Sequence, residues 1–144
     1  MHLRALLEEK GFDRVPLSKM ATGHYYCKVM LNKKKAIFIV DTGASTSCIG
    51  ENFIDYFLLK STDTDVLAAG AGATGMKTKS SKENRLKIGT KTITNMAFVI
   101  FDLSHVNEAL LQVGTLTTHG ILGADFLKDK RAVIDYGRNC MYLK

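Results

Sequence analysis

Apolar residues along this chain fall into many short runs, and several of the runs end at a glycine or at a polar turn. Two runs, from about Tyr25 to Leu31 and from Lys35 to Val40, are rich in β-branched and apolar residues and predict a hairpin that turns at Asn32 and Lys33. Further short strands are predicted along the rest of the chain. They run from Val66 to Met76, Thr78 to Ile88, Lys91 to Phe101, Ile121 to Leu122, Ala132 to Tyr136 and Cys140 to Leu143.

Helical patterns are few and short. Three leucines share one face of the first ten residues and predict a helix that Gly11 caps. Ser104 to Val113 is predicted to be a helix or an ordered loop, and Ala124 to Lys130 a helix too short to be stable without packing. Many short strands without βαβ alternation predict a mainly β fold.

Composition limits the class of protein. The chain has 144 residues, of which 46% are hydrophobic and 24% charged, as expected of one globular domain. No apolar run approaches the roughly twenty residues of a membrane span, and the N-terminus becomes charged too early for a secretory signal. Three widely spaced cysteines, Cys27, Cys48 and Cys140, form no metal-binding pattern. We therefore expect a cytoplasmic protein with no cofactor, no metal and no membrane association.

Basic residues outnumber acidic ones, so the formal net charge is +6. Nucleic-acid binding is one interpretation of that charge. The lysines, however, cluster at the predicted hairpin tip or alternate along strands, and no aromatic residues are interleaved with them as stacking platforms. We therefore favour a solvated basic surface and expect no nucleic-acid partner. The charge would also attract acidic protein substrates, which is a weaker hint.

One short motif carries candidate chemistry. Asp41–Ser45, with the sequence Asp-Thr-Gly-Ala-Ser, follows directly on the apolar run from Ile37 to Val40. A carboxylate that a buried strand delivers into a turn of small residues is typical of aspartic proteases. No other aspartate in the chain is followed by Thr-Gly or Ser-Gly. One chain would therefore supply half of such a site, and the working unit would be a homodimer.

With this motif the chain resembles the retropepsin-like aspartic proteases, a family of single-domain homodimeric enzymes that includes the retroviral ones. A glycine-rich segment at residues 69–75 stands where the family's flap would be. Gly120–Leu127 resembles the family's apolar-apolar-Gly element and the helix after it. The resemblance implies a closed, barrel-like β domain over residues 23–144, after an N-terminal extension over residues 1–22.

The resemblance also implies residue roles. Asp41 would be catalytic, Thr42 would bond to the partner's loop, and Gly43 would permit the sharp turn. The substrate-binding residues that it implies lie in the same loop, in the flap and in the second apolar element. They are Ala44, Ser45, Gly70, Ala71, Gly72, Ile121 and Leu122, with Gly123 behind the loop.

The activity that the resemblance implies is hydrolysis of peptide bonds by a water molecule held between Asp41 of two subunits. One carboxylate acts as a general base on the water, while the other, protonated, donates to the carbonyl oxygen and then to the leaving nitrogen. Two carboxylates so close hold one proton between them over a wide pH range. The partners expected are a second copy of the chain and a protein or peptide substrate.

The chain departs from the retroviral pattern where the active-site loop is braced. In retroviral members, the arginine directly after the apolar-apolar-Gly element pairs with an aspartate in the active-site loop. This chain has Ala124 in place of that arginine and Ser45 in place of that aspartate. We therefore expect a different brace. The extra N-terminal residues, the final hairpin and the long stretch from Phe101 to His119 make the chain more similar to cellular and bacterial members.

Other interpretations stay open. The rival function is a retropepsin-like fold kept as a dimerisation or peptide-binding module with little or no catalysis. The intact Asp-Thr-Gly motif argues against it, because a scaffold has no need of a buried carboxylate pair. Asp41 could also be an ordinary turn residue. Three scattered histidines, His24, His105 and His119, are expected to be surface or core residues.

Overall fold

The computed structural model of the chain describes residues 2–68 and 76–144. These residues form eleven strands and three helices. The helices are α1 (Leu3–Glu9), α2 (Ser104–Val113) and α3 (Ala124–Asp129). The strands are β1 (Asp13–Pro16), β2 (Ser18–Lys19), β3 (Tyr25–Leu31), β4 (Lys34–Val40), β5 (Cys48–Gly50), β6 (Ser61–Ala68), β7 (Met76–Ile88), β8 (Lys91–Phe101), β9 (Gly120–Leu122), β10 (Val133–Asp135) and β11 (Cys140–Leu143).

Six of these strands close into a barrel. They are hydrogen-bonded in the order β3-β4-β9-β5-β8-β7, and a short pairing of β3 with β7 closes the ring. The strands β2 and β6 extend the sheet beyond β3 and β7, and a separate antiparallel sheet has the order β1-β11-β10. The closed, mainly β fold predicted from the sequence is therefore confirmed. No helix in the described ranges is long and apolar enough to cross a membrane.

The predicted hairpins follow their turn chemistry. Strands β3 and β4 pair antiparallel, and the two turn residues Asn32 and Lys33 both have positive φ, 49° and 70°, as a two-residue hairpin turn requires. Strands β10 and β11 form the final hairpin across a short 3-10 turn at Tyr136–Arg138. Helix α1 ends just before Gly11, whose φ of 87° suits glycine.

Three short strands were not predicted. Strands β1, β2 and β5 have four residues or fewer, too few for a clear alternation of apolar and polar positions. Strand β1 pairs with β11, and its Val15 lies in the main core with Leu17. Residues on both sides of the expected boundary at residue 22 thus share one body, and the boundary itself stays a prediction.

Strand β4 has apolar residues on both of its faces because both faces are buried. Phe38 points into the main core, where its ring lies 5.6 Å from the ring of Phe98. Ile39 points the other way, into a second cluster that holds helix α2 through Leu110. A strand that is covered on both faces has a nearly continuous run of apolar residues in the sequence. Because such a strand is held by packing on both faces, the residue that follows it has a fixed position.

Candidate active site

Strand β4 delivers Asp41 to one end of the barrel. It runs parallel to β9, with Val40 opposite Leu122. The backbone N–H of Asp41 continues this pairing by donating to the carbonyl oxygen of Leu122 at 3.0 Å. Since Leu122 is fully buried, the start of the loop is anchored in the core.

The carboxylate of Asp41 turns back over its own loop. Its Oδ1 accepts the backbone N–H of Gly43 at 2.9 Å, and its carbonyl oxygen accepts the N–H of Ala44 at 3.2 Å. A Cβ atom at residue 43 would lie only 3.3 Å from Oδ1. Glycine therefore lets the backbone donor approach the carboxylate without a side chain in between. Asp41 is partly buried, whereas Thr42 and Gly43 are exposed, so the loop presents the carboxylate at the surface.

A serine and an aspartate brace the loop from behind. The Ser47 hydroxyl donates to Asp125 Oδ1 at 2.8 Å, and the Ser47 N–H donates to the same carboxylate at 3.0 and 3.1 Å. The Ser47 oxygen in turn accepts the N–H of Gly123 at 2.9 Å. Asp125 Oδ1 also accepts the N–H of Phe126 at 2.7 Å. Ser47 is fully buried, so the exposed residue Asp125 satisfies a backbone N–H and a hydroxyl that water cannot reach.

Neither Ser45 nor Ala124 contributes a side chain to this brace. It uses the side chains of Ser47 and Asp125, two positions that the sequence did not single out. Ala124 contributes through its backbone, because its N–H donates to the carbonyl oxygen of Ala44 at 2.7 Å. The sequence signal that could have found the brace is the aspartate two residues after Gly123.

Two glycines let β9 pass close behind the loop. A Cβ atom at residue 120 would lie 2.3 Å from both the carbonyl oxygen of Cys48 and the ring of Phe38. At residue 123 it would lie 2.7 Å from the carbonyl oxygen of Ala44. Neither place has room for a side chain, so β9 can occupy the gap between β4 and β5 only with glycines there.

The thiol nearest the loop is not a nucleophile. Cys48 is buried in β5 between β8 and β9, and burial raises the pKa of its thiol to about 12. Burial likewise raises the pKa of Cys27 to about 12. Both side chains therefore stay protonated near neutral pH and act as small packing groups.

The remaining predicted site residues differ in their exposure to solvent. Ser45 is exposed and Ala44 is partly buried in the loop, whereas Ile121 and Leu122 are buried behind it. The predicted flap residues Gly70, Ala71 and Gly72 lie outside the described residues. The substrate-binding roles of all seven, and the cross-subunit bond expected of Thr42, stay predictions.

A cavity of about 320 Å³ opens beside the loop. Asp41 and Thr42 form one wall, and Tyr25 and Tyr136 form another with ring centres 4.8 Å apart. Tyr136 is 66% exposed, unusual for so large a side chain. Neither tyrosine was identified from the sequence, because each reaches the loop only through tertiary structure. Among the described residues no group of three or more His, Cys, Asp and Glu is placed to hold a metal ion.

Comparisons with known proteins give a family and a fold. A family model described as aspartyl protease matches residues 27–126, a span that includes both the Asp41 loop and Asp125. Comparison with curated proteins gives no sequence match.

Many solved structures share the fold, and three of them illustrate the similarity. A retropepsin-like aspartic protease from Rickettsia conorii has a TM-score of 0.60 at 23% identity, covering 92% of this chain and 90% of that one. The retroviral protease-like domain of Ddi1 from Leishmania major has a TM-score of 0.57 at 18% identity, covering 83% and 86%. EIAV protease complexed with the inhibitor HBY-793 has a TM-score of 0.54 at 19% identity, covering 76% and 89%.

Proposed function

We propose that this chain, which belongs to the aspartyl protease family and has the retropepsin fold, is one subunit of a homodimeric aspartic endopeptidase. The observation that carries the proposal is the placement of Asp41. Its carboxylate sits at the end of a strand buried on both faces, in an exposed loop. The bracing hydrogen bonds come from other residues, Ser47 and Asp125, so the Asp41 carboxylate is left for chemistry.

The proposed site forms when two such loops meet across a two-fold axis. Thr42 and Gly43 are exposed in the single chain, which leaves the loop accessible to a second copy. The two Asp41 carboxylates would then lie close enough to share one proton and hold one water molecule. The hydrogen bond from Gly43 would keep each carboxylate in the orientation that this arrangement needs.

Hydrolysis in that dimer would need no covalent intermediate. The ionised Asp41 takes a proton from the water as its oxygen attacks the peptide carbonyl, and the protonated Asp41 donates to the carbonyl oxygen. In the collapse of the tetrahedral intermediate, the Asp41 that took the proton from water donates it to the leaving nitrogen, the other Asp41 takes back the proton on the former carbonyl oxygen, and the carbon–nitrogen bond breaks. Residues 70–72 are proposed to close over the substrate as a flap.

The test is cleavage of a diverse peptide library, detected by mass spectrometry from acidic to neutral pH. We expect the wild type to cleave with a bell-shaped pH profile, and Asp41→Asn to lose roughly 10³-fold or more of that activity. The matched control is Asp55→Asn, which makes the same substitution at an exposed aspartate outside the loop. Circular dichroism and sedimentation must show that the variants keep their fold and assembly.

Two outcomes would contradict the proposal. Equal cleavage by wild type and Asp41→Asn would assign the activity to another residue or to a contaminant. A folded, dimeric wild type that cleaves nothing in the library at any pH would favour a peptide-binding or dimerisation module that has lost catalysis.

A further inference from the structure

A second and larger cavity, of about 660 Å³, lies at the opposite end of the β4–β9 pair from Asp41. We call it the lysine groove and define it by Lys28, Lys35, Lys87, Tyr56 and His119. Met30 and Ile37 also line it and give it an apolar floor. Ile37 is four residues from Asp41 along β4, which places the groove roughly 13 Å or more from the catalytic loop.

The strand register brings three lysines to this groove. Met30 in β3 lies opposite Lys35 of β4 on one side and Lys87 of β7 on the other. Lys28 is two residues from Met30 and so shares its face of the strand. Because neighbouring strands are about 4.8 Å apart, Lys35 and Lys87 are within roughly 10 Å of each other.

None of these lysines forms an ion pair in the described part of the chain, although the Asp13 carboxylate lies beside Gly89 at the edge of the groove, where its Oδ2 accepts the N–H of Thr90 at 2.7 Å. The ion pairs found in the described part join Arg4 to Glu8, Lys130 to Asp129 and Arg138 to Asp135. The groove itself is lined by no aspartate or glutamate. Three like charges around an apolar floor favour an anionic ligand that also carries apolar groups.

His119 provides an oriented hydrogen-bond donor in the wall of the groove. Its Nδ1 accepts the backbone N–H of Ile37 at 3.0 Å, so the neutral ring carries its proton on Nε2. Phe53 and Phe57 hold the ring by edge contacts at 4.7 and 5.4 Å between ring centres. Its Nε2 has no hydrogen bond to the described residues and is not buried, so it is free to donate to a ligand.

Tyr56 completes the wall as a flat and partly exposed ring. It stacks beside His119 with ring centres 6.0 Å apart and planes 12° apart. The Lys34 Nζ lies over the Tyr56 ring, 5.7 Å from its centre, and adds a fourth cation beside the groove. The wall therefore combines aromatic surface with donors, a combination suited to a peptide rather than to a small ion.

We propose that the lysine groove binds an acidic segment of a polypeptide that carries apolar side chains between its carboxylates. The lysines would bind the carboxylates, the His119 Nε2–H would donate to one of them, and the floor would bury the apolar side chains. This binding does not require Asp41, so it is separate from the proposed cleavage and is tested without it.

The test uses the full chain with Asp41→Asn, so that no probe is cleaved. The probe is a fluorescein-labelled peptide of about twelve residues in which glutamates alternate with leucine and phenylalanine. We expect fluorescence anisotropy to show binding that weakens on raising NaCl from about 50 to about 500 mM. The same peptide with glutamine in place of glutamate should bind at least about tenfold more weakly.

The variant Lys28→Glu with Lys87→Glu should weaken binding about tenfold or more. The matched control, Lys60→Glu with Lys82→Glu, changes the net charge equally at two exposed lysines outside the groove and should change binding less than about twofold. In NMR spectra the peptide should shift the imidazole signals of His119 but not those of the exposed His105. This readout keeps the proposal testable even if the groove variant fails to fold.

Several results would overturn the proposal. Equal loss in the control variant would mean general charge attraction, and equal binding of the glutamine peptide would mean a purely apolar groove. Displacement of the peptide by millimolar phosphate would indicate a small-anion site. Stronger competition by a thymidine oligonucleotide than by the unlabelled peptide would indicate a nucleic-acid surface. Unchanged His119 signals on saturation would place the peptide elsewhere.

Discussion

The two ends of the β4–β9 pair are fastened by different chemistry. At the carboxyl end, where β4 leads into the Asp41 loop, the carboxylate of Asp125 accepts hydrogen bonds from the N–H and the hydroxyl of Ser47 and so holds the loop. At the amino end, a neutral imidazole and a hydroxyl join the strands: His119 Nδ1 accepts the N–H of Ile37 at 3.0 Å, and the Thr118 hydroxyl donates to the carbonyl oxygen of Ile37 at 3.1 Å.

This difference decides which charges stay free at each end. The carboxyl end has a second carboxylate, Asp41, whose only described hydrogen bond comes from its own loop. At the amino end, the described ion pairs include none of the groove lysines. The same pair of strands thus joins a loop with a carboxylate to a basic groove, and under the two proposals each end binds a different part of a polypeptide.

The largest expected effect comes from breaking the strand pair itself. Gly120→Ala would place a Cβ atom 2.3 Å from the carbonyl oxygen of Cys48 and from the ring of Phe38. We expect a loss of about 3 kcal/mol or more in the free energy of unfolding, or failure to fold, because buried backbone cannot move aside cheaply. Urea denaturation measures it.

Gly137→Ala is the matched control, since a Cβ atom there has no neighbour within 4 Å. It should change the unfolding free energy by no more than about 0.5 kcal/mol. Similar losses in both variants would mean that the tight passage of β9 is not what makes residue 120 a glycine.

A smaller effect is expected from removing the brace at the carboxyl end alone. Asp125→Ala would leave the buried N–H and hydroxyl of Ser47 without their acceptor, at a cost of about 2 kcal/mol. Asp125→Asn keeps an acceptor oxygen and should lose less. If the loop holds the catalytic carboxylate, kcat should fall in the same order, with the alanine variant lower.

The control for the brace is Asp129→Ala on the same helix. Asp129 is exposed, and its described ion pair with Lys130 is worth at most a few tenths of a kcal/mol. Peptide cleavage and urea denaturation should both leave this variant close to wild type. If Asp125→Ala were as active and as stable as Asp129→Ala, the Asp41 loop would keep its position without the hydrogen bonds between Ser47 and Asp125.

The carboxyl end was far easier to predict from the sequence than the amino end. Its signal is local, because an apolar strand runs directly into Asp-Thr-Gly. The brace joins Ser47 to Asp125, 78 positions apart, and strand β5 has only three residues. Neither the brace nor β5 produces a periodic pattern in the sequence. Both form only because β9 inserts between β4 and β5.

The amino end left almost no signal. Its lysines come from three strands, and they meet only because the barrel closes through the β3–β7 pairing. The sequence predicts that His119, like two other scattered histidines, is a surface or core residue. It lies half-buried among aromatic rings, so its special feature is the hydrogen bond from Ile37, which no single segment reveals.

The smallest expected effect is a pH response confined to the amino end. Burial lowers the pKa of His119 from its usual 6.5. Between the folded pKa and pH 6.5, the unfolded chain therefore binds a proton at this imidazole that the folded chain does not. Stability from this group is therefore present above pH 6.5 and is lost as the pH falls toward the folded pKa. Denaturation of His119→Gln at several pH values should lack this acid-side loss, whereas His105→Gln should retain it.

The lysine groove sharpens this prediction, because a bound carboxylate beside His119 favours the charged imidazole. In the Asp41→Asn background, the glutamate peptide should therefore protect the protein with His119 against mild acid more than it protects the protein with His119→Gln, and the glutamine peptide should protect neither. Equal protection of both proteins would place the peptide away from the imidazole. Thermal melting at two pH values with each peptide separates these cases, and Asp41→Asn, present in both proteins, prevents cleavage of the peptides.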